Sequence, residues 1–145
     1  MPVRHASVSW EGGLRDGKGR ASLDSSGLGT FDVSFTSRES DSPQNATDPE
    51  ELIGAAHATC FTQNLSGVLG KAGLTVQTLD TKAAVTLAKT EGGLTITGIA
   101  LTVTGRVDGV DQENFAELAA EAERTCPVSK ALAGTTITLE ATLES

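Results

Sequence analysis

The feature of this sequence that most constrains its fold is an apolar helix with a strong start signal and a cysteine in its interior. Asp48 can cap the helix, because its carboxylate can accept hydrogen bonds from the free amides of the first turn. Pro49 falls at the first helical position, where its missing N–H is not needed. Glu50 and Glu51 suit the positive end of the helix, and Glu51 is placed as in a capping box. The following residues are almost all small or apolar as far as Cys60, which predicts a buried helix.

The composition indicates one soluble domain that covers residues 1–145. This length is enough to bury a core, and the 38% hydrophobic content is ordinary for a soluble protein. Four Phe, one Trp and no Tyr mean that the core must be aliphatic and rich in alanine. The net charge of −8 argues against sequence-independent nucleic-acid binding, which needs a basic face.

The sequence also predicts a cytosolic protein without a membrane segment. The first residues carry no apolar run of the kind that follows the charges of a signal peptide. No stretch approaches the roughly 20 apolar residues that a membrane helix needs. Two cysteines in a cytosolic chain are better interpreted as free thiols, or as a pair that cycles, than as a permanent disulfide.

The amino-terminal third is predicted to be β-structure followed by a loop. Residues 4–36 alternate apolar and polar side chains between glycine-containing turns, which indicates a three-stranded meander. Residues 36–47 are polar and interrupted by Pro43, so we interpret them as a loop. Arg38 lies at its start, where composition alone favours a solvated charge. The long helix then runs from 49 to about 72, and Gly73 is the natural residue to end it.

The rest of the chain alternates less regularly between strands and helices. Apolar residues of the second long strand occupy even positions before Gly98 and odd positions after it, which predicts a β-bulge there. The order βββ–α–ββ–αα–β segregates strands from helices, so we predict an α+β fold with largely antiparallel pairing. The predicted elements are two strands at 74–89 and 94–103, helices at 111–125 and from 127 until Gly134, and a last strand at 137–143.

The two cysteines each allow an inert and a reactive interpretation. Cys60 inside an apolar helix can be an unreactive core residue, because free cysteine is often buried. Cys126 immediately precedes a helix that Pro127 starts, so it is either a small capping residue or a thiol whose anion the free amides favour. His57 lies one turn before Cys60 and could reach it, but without an orienting carboxylate it is better interpreted as a core histidine. No cluster has the composition of a metal site.

The sequence nevertheless resembles the OsmC/Ohr family of osmotically induced and organic-hydroperoxide-resistance proteins, and its OsmC branch in particular. The resemblance is carried by residues 49–61, by the Cys-Pro-Val-Ser element at 126–129, and by Trp10-Glu11-Gly12 near the start. It implies a thiol-dependent peroxidase that reduces organic hydroperoxides, and hydrogen peroxide less well, to alcohol and water. It also implies an intertwined homodimer, in which sheets wrap each long helix and the active sites lie at the subunit interface.

The same resemblance implies a role for four residues of this chain. Cys60 corresponds to the peroxidatic cysteine, Cys126 to the resolving cysteine, Glu50 to the family's acid and Arg38 to its arginine. Arg15 and Arg20 are alternatives for the arginine, because the loop after Arg38 varies within the family. The implied partner is a dithiol reductant, either a lipoylated protein or dihydrolipoamide, and no metal or prosthetic cofactor is expected.

The chemistry places a condition on these residues. A peroxidatic cysteine must be a thiolate near neutral pH, and Arg38 is the expected source of positive charge. Glu50 and Cys60 are ten residues apart, which is about 15 Å along a helix and about 80° around it. Glu50 therefore cannot touch its own Cys60, and we expect it to orient the Arg38 that serves the partner's cysteine. Alternatively, Glu50 is only a favourable first-turn acid. Phe61 and Ile53 are expected to line the substrate pocket.

Two other functions fit the sequence. The chain could be a dimeric module that binds an apolar small molecule, with both cysteines as bystanders. It could also be a redox sensor that forms the disulfide but turns over slowly.

Overall fold

The computed structural model describes residues 1–43 and 45–144. The chain divides into two compact units, Met1–Leu52 and Ile53–Ser145, which we call the first and second units. The long helix begins in the first unit and continues in the second. The expectation that residues 1–145 act as one domain stays a prediction.

The first unit contains the predicted three-stranded antiparallel meander. Its strands pair in the order β1-β2-β3. Trp10 lies opposite Gly19, where a Cβ would come within 2.8 Å of the indole ring, so the glycine makes room for the tryptophan. Val8, Trp10 and Phe31 are exposed by 63%, 41% and 40%, so this sheet leaves apolar surface uncovered within the chain. The strands are β1 (Ser7–Glu11), β2 (Lys18–Ser22) and β3 (Thr30–Val33).

A short helix that the sequence did not predict follows the meander. The predicted loop at 36–47 is wrong at its start, because residues Phe35–Glu39 form helix α1 and Arg38 lies in its last turn. Ser34 caps this helix, since its hydroxyl accepts a hydrogen bond of 3.1 Å from the amide of Ser37. The cap ends the strand at Val33 and outweighs the apolar alternation that continues to Phe35.

Helix α2 (Pro49–Lys71) matches the predicted helix of 49 to about 72. Asp48 caps it by accepting from the Glu51 amide at 2.8 Å, whereas the Glu51 carboxylate accepts from the Thr47 hydroxyl. Gly73 ends it in the left-handed conformation, with φ of +78°, and the Leu74 amide donates to the Leu69 carbonyl. Among the described residues no helix combines the length and apolar character needed to cross a membrane.

The second unit is a three-stranded sheet with two helices between its last two strands. Strands β4 (Thr75–Thr90) and β5 (Gly93–Asp108) form a long antiparallel pair, as predicted. Strand β6 (Thr136–Leu143) pairs with β5 in parallel. Helices α3 (Gln112–Thr125) and α4 (Pro127–Ala131) make this possible, because they return the chain to the end of the sheet at which β5 begins. The fold is therefore α+β with mainly antiparallel sheets.

Two glycines explain the shape of strand β5. Thr86 pairs with Gly98 and Leu87 with Ile96, so the register shifts beside Gly98 where the bulge was predicted. The strand extends five residues beyond its predicted end at 103, because the buried odd positions continue through Gly105 to Val107. A Cβ on Gly105 would lie 2.6 Å from the Phe115 ring, so this glycine makes room for an aromatic side chain of α3.

The core of the second unit lies between α2, α3 and strand β5. Phe61, Leu65 and Leu69 follow one another at intervals of four residues on α2 and are fully buried. Burial of each such side chain contributes about 1.5–3 kcal/mol relative to exposure. Only one face of α2 is buried within the chain, since Ala55 and Ala56 are exposed. The other members of the core are Ile99, Leu101, Val103, Val107, Phe115, Ala119, Ala122 and Cys126.

We expect Gly73→Ala to lower the free energy of unfolding by about 1–2 kcal/mol, because a Cβ disfavours the left-handed backbone. Gly70→Ala is the matched control in the preceding turn, where a Cβ meets open space and the residue is helical. It should raise the free energy of unfolding by about 0.5–1 kcal/mol. Urea unfolding measures both values, and equal effects of the two changes would contradict the account of this helix end.

Candidate active site

The two cysteines lie side by side in the second unit. Cys60 is in the middle of α2, and Cys126 ends α3 and precedes α4. Both are free thiols; Cys126 is fully buried and Cys60 is half-buried. The Cys126 side chain is close enough to the Cys60 thiol to raise its pKa. The fold thus brings together two thiols that are far apart in sequence.

The surroundings of Cys60 within this unit oppose its ionisation. Burial raises the pKa of the Cys60 thiol, and the neighbouring Cys126 side chain raises it further. The backbone amide of Val128, in the first turn of α4, lowers the pKa by donating a hydrogen bond to the sulfur. Both named neighbours belong to the second unit. A thiolate at neutral pH therefore needs a positive charge in addition to these groups.

His57 is the polar side chain buried most deeply beside the cysteines. Its Nε2 lies 2.7 Å from the Ser129 hydroxyl, whereas its Nδ1 has no hydrogen-bond partner among the described residues. Burial lowers the pKa of His57, and the charge of Glu123 opposes this shift. The interpretation as a satisfied core histidine is correct for one ring nitrogen only. Ser129 belongs to the Cys-Pro-Val-Ser element, but the sequence did not indicate its partner.

Asn64 is a second polar contact that the sequence analysis missed. Its Nδ2 donates to the carbonyl of Ala122 and to the hydroxyl of Thr125, both at 2.7 Å. Asn64 therefore ties α2 to the end of α3, directly before Cys126. The sequence feature that could have indicated this contact is an amide side chain one turn after Cys60, next to the apolar stripe that begins at Phe61.

Arg38 and Glu50 form a second pair of predicted site residues, in the first unit. The guanidinium donates through Nε to both carboxylate oxygens at 3.1 Å and through Nη2 to Oε1 at 2.8 Å. Burial alone would raise the pKa of Glu50, but hydrogen bonds from Arg38 and from the backbone bring it below the usual value. The same pair raises the pKa of Arg38. Both groups are therefore charged at neutral pH.

The two alternative arginines, Arg15 and Arg20, differ from Arg38 in how exposed their ion pairs are. Arg15 bonds to Glu39 and Arg20 to Asp32, and both pairs are largely exposed, whereas the Glu50 side chain is only 9% exposed. A buried, multiply bonded carboxylate fixes the orientation of a guanidinium more firmly than an exposed one does. Arg38 is therefore the arginine with a defined orientation.

The remaining predicted features are placed as follows. Phe61 is fully buried in the core and Ile53 is half-buried, and the expectation that they line a substrate pocket stays a prediction. Residues 1–43 and 45–144 contain no group of three or more His, Cys, Asp or Glu side chains that could hold a metal ion. The described site thus consists of two pairs, Cys60 with Cys126 and Arg38 with Glu50, each within its own unit.

Comparisons with known proteins identify the family that this chain resembles in sequence and fold. The sequence model of the family described as OsmC-like protein matches residues 39–140. Peroxiredoxin OsmC of Escherichia coli is 43% identical over 142 residues, which are 98% of this chain and 97% of that protein. Organic hydroperoxide resistance protein OhrA of Bacillus subtilis is 35% identical over 103 residues, or 70% and 68% of the two chains. The crystal structure of OhrB of Bacillus subtilis has a TM-score of 0.71 at 29% identity and covers 97% of this chain and 98% of its own.

We expect the fold to lose stability as the pH falls below about 6.5, because burial lowers the pKa of His57. In that range the unfolded chain binds a proton at His57 that the folded chain does not. The stability that neutral His57 contributes is fully present above its unfolded pKa and is lost as the pH falls toward its folded pKa. The lowered pKa of Glu50 also reduces the stability of the fold in acid, but in a separate pH range below about 4.5.

Urea unfolding at about pH 7.5 and about pH 5.5 measures this effect. The difference in the free energy of unfolding should be smaller for His57→Gln than for the unmodified chain. His5→Gln is the control, since His5 is exposed. An unchanged pH dependence in His57→Gln would contradict the assignment.

Proposed function

This chain belongs to the OsmC family, and we propose that it is a cysteine-based peroxidase that reduces organic hydroperoxides, and hydrogen peroxide less well. The observation that carries the proposal is the proximity of two free thiols, Cys60 in the middle of α2 and Cys126 at the start of α4. Relatives named peroxiredoxin and organic hydroperoxide resistance protein support the same reaction class.

The first step is an attack by the Cys60 thiolate on the distal oxygen of the hydroperoxide. The O–O bond breaks, the alkoxide leaves and takes up a proton, and Cys60 becomes a sulfenic acid. In the second step the Cys126 sulfur attacks Cys60, the S–O bond breaks, and the Cys126 proton joins the leaving hydroxide as water. The product is a disulfide between Cys60 and Cys126.

An external dithiol must then return the enzyme to its starting state. Thiol–disulfide exchange through a mixed disulfide supplies both electrons, so no metal or prosthetic group has to take part. A lipoyl-type dithiol is our preferred reductant on the basis of the family resemblance. A cytosolic location fits this cycle, because the reducing environment there keeps thiols reduced between turnovers.

Activation of Cys60 is assigned to the Arg38–Glu50 pair of a second copy of this chain. Burial raises the pKa of Cys60, so the thiolate requires a nearby cation, and Arg38 is a fixed one. Glu50 holds the guanidinium by a bidentate contact that fixes its direction. Two-fold symmetry would provide two such sites per dimer.

Two surfaces of the single chain support a homodimer. The sheet of the first unit leaves Val8, Trp10 and Phe31 substantially exposed. Helix α2 presents small residues, among them Ala55 and Ala56, on the face that the second unit does not cover. Partner chains that cover these surfaces would bury apolar area and complete the wrapping of α2. We also propose that residues 1–145 act as one domain in this dimer, since the family match includes parts of both units.

Cys60→Ser should abolish the consumption of cumene hydroperoxide, because it removes the thiolate that is proposed to attack the peroxide oxygen. Cys126→Ser should allow one turnover and leave Cys60 as a sulfenic acid. Mass spectrometry after dimedone trapping detects that state. Full activity of Cys60→Ser with a dithiol present would refute the proposal.

Mixed dimers test whether Arg38 acts on the partner's cysteine. Cys60→Ser and Arg38→Met chains are each expected to be nearly inactive. After they are mixed and allowed to exchange subunits, about half of the dimers pair one chain of each kind, and one of their two sites is intact. Activity should return to about a quarter of the unmodified level.

A mixture that stays as inactive as its components would contradict an action between subunits. Size-exclusion chromatography with light scattering provides the control, because it establishes that both variants form dimers. Arg38→Lys separates charge from geometry, since lysine keeps the charge but cannot make the bidentate contact with Glu50.

A further inference from the structure

Helix α2 holds the segment around Cys126 at two points, one on each side of the cysteine. Asn64 donates to Ala122 and Thr125, just before Cys126, at 2.7 Å. His57 bonds to Ser129, just after Cys126, also at 2.7 Å. We call residues 122–129 the junction segment, because they connect the last turn of α3 to α4.

The spacing of the two anchors on α2 explains why Cys60 lies between them. His57, Cys60 and Asn64 follow one another at intervals of three and four residues, so they share one face of the helix. His57 and Asn64 therefore contact the junction segment on the two sides of Cys126, and Cys60 faces the part between these contacts. The Cys126 side chain and the Val128 amide both reach the Cys60 sulfur there.

Packing alone does not require these hydrogen bonds. An aliphatic side chain at position 57 could be buried without a partner, whereas His57 is fully buried with one ring nitrogen unpaired among the described residues. A hydrogen bond differs from an apolar contact in that it fixes direction and distance. The bond to Ser129 therefore determines the position of the first turn of α4 relative to α2.

We propose that His57 and Asn64 are positioning residues for the second chemical step, and that they hold Cys126 against Cys60 so that the sulfenic acid is captured at once. The proposal rests on the proposed peroxidase function. In this step the S–S bond forms, the Cys60 S–O bond breaks, and the Cys126 proton leaves with the hydroxide as water. No additional reactant is needed.

The advantage of such positioning is a faster capture of an intermediate that has a competing fate. A second hydroperoxide molecule oxidises a sulfenic acid irreversibly to a sulfinic acid. Two groups held in contact react as an effectively unimolecular pair, without a conformational change before the bond forms. The two anchors then determine how much hydroperoxide the enzyme tolerates before Cys60 is lost.

Ser129→Ala and Asn64→Ala test the two anchors separately. Rapid mixing with one equivalent of cumene hydroperoxide, followed by quenching and mass spectrometry, gives the rates of sulfenic acid and disulfide formation. The first rate should change by less than about twofold. The second should fall about tenfold, which corresponds to about 1.4 kcal/mol. Sulfinic acid at Cys60 should appear at a correspondingly lower hydroperoxide concentration.

Two controls distinguish positioning from a general loss of structure. Ser129→Thr keeps the hydroxyl and should restore the rate of disulfide formation. Thr62→Val removes a hydroxyl on α2 that bonds to Ala58 and Thr81 and not to the junction segment. It should therefore leave the rate of disulfide formation and the amount of sulfinic acid unchanged. Disulfide formation at the unmodified rate in both anchor variants, or equal slowing in Thr62→Val, would overturn the proposal.

Oxidation with diamide separates this proposal from the proposed function, because diamide forms the disulfide without a hydroperoxide. If the unmodified chain consumes no hydroperoxide, yet its disulfide forms with diamide about tenfold faster than in the anchor variants, the peroxidase function fails and the positioning role stands. Equal diamide rates in all chains would overturn the positioning role alone. Because the two anchors lie on opposite sides of Cys126, misfolding of one variant leaves the other as a test.

Discussion

The packing of helix α2 against helix α3 and the junction segment is the interaction on which the candidate active site depends. Phe61, Leu65 and Leu69 provide the apolar part on α2, and Ala119 and Ala122 of α3 belong to the same core. The same packing brings Cys126 to Cys60. Because interiors are tightly packed, this contact leaves little freedom for the two sulfurs to separate. Cys126 is therefore part of the core, and Cys60 packs against it.

Burial of Cys60 disfavours its thiolate, and the described residues of the core supply no charge that offsets this effect. The pKa of Cys60 is raised by burial and by Cys126, and the amide of Val128 opposes this only in part. The Arg38–Glu50 pair has the complementary property, since both groups carry charge at neutral pH and the guanidinium is held in a fixed direction. A shielded thiol in one unit and an oriented cation in the other agree with the proposal that two chains together complete the site.

Local chemistry made much of the fold predictable. The cap Asp48, the glycine at 73 and the bulge beside Gly98 depend on neighbours only a few residues away. Helix α1 was missed because the Ser34 cap competes with an apolar alternation that continues through Phe35. Strand β5 was predicted too short, and Gly105, beyond its predicted end, accommodates the Phe115 ring of a distant helix.

The contacts of the site were harder to predict than its members. Cys60, Cys126, Arg38 and Glu50 were identified from motifs, and their roles stay predictions. The bond between His57 and Ser129 joins residues 72 positions apart, and the contacts of Asn64 reach a different helix. Such pairings depend on how α3 and α4 return the chain to β5, and this path leads to the parallel pairing of β6. No periodicity within one segment contains that information.

The most direct test of the central claim is the stoichiometry of a single turnover. The reduced protein, with two thiols per chain, is mixed with one equivalent of cumene hydroperoxide without a reductant, and the remaining hydroperoxide and thiols are titrated. The account predicts that one hydroperoxide is consumed, that both thiols disappear, and that peptide mapping finds a disulfide between Cys60 and Cys126. Unchanged thiols, or hydroperoxide loss without that disulfide, would contradict it.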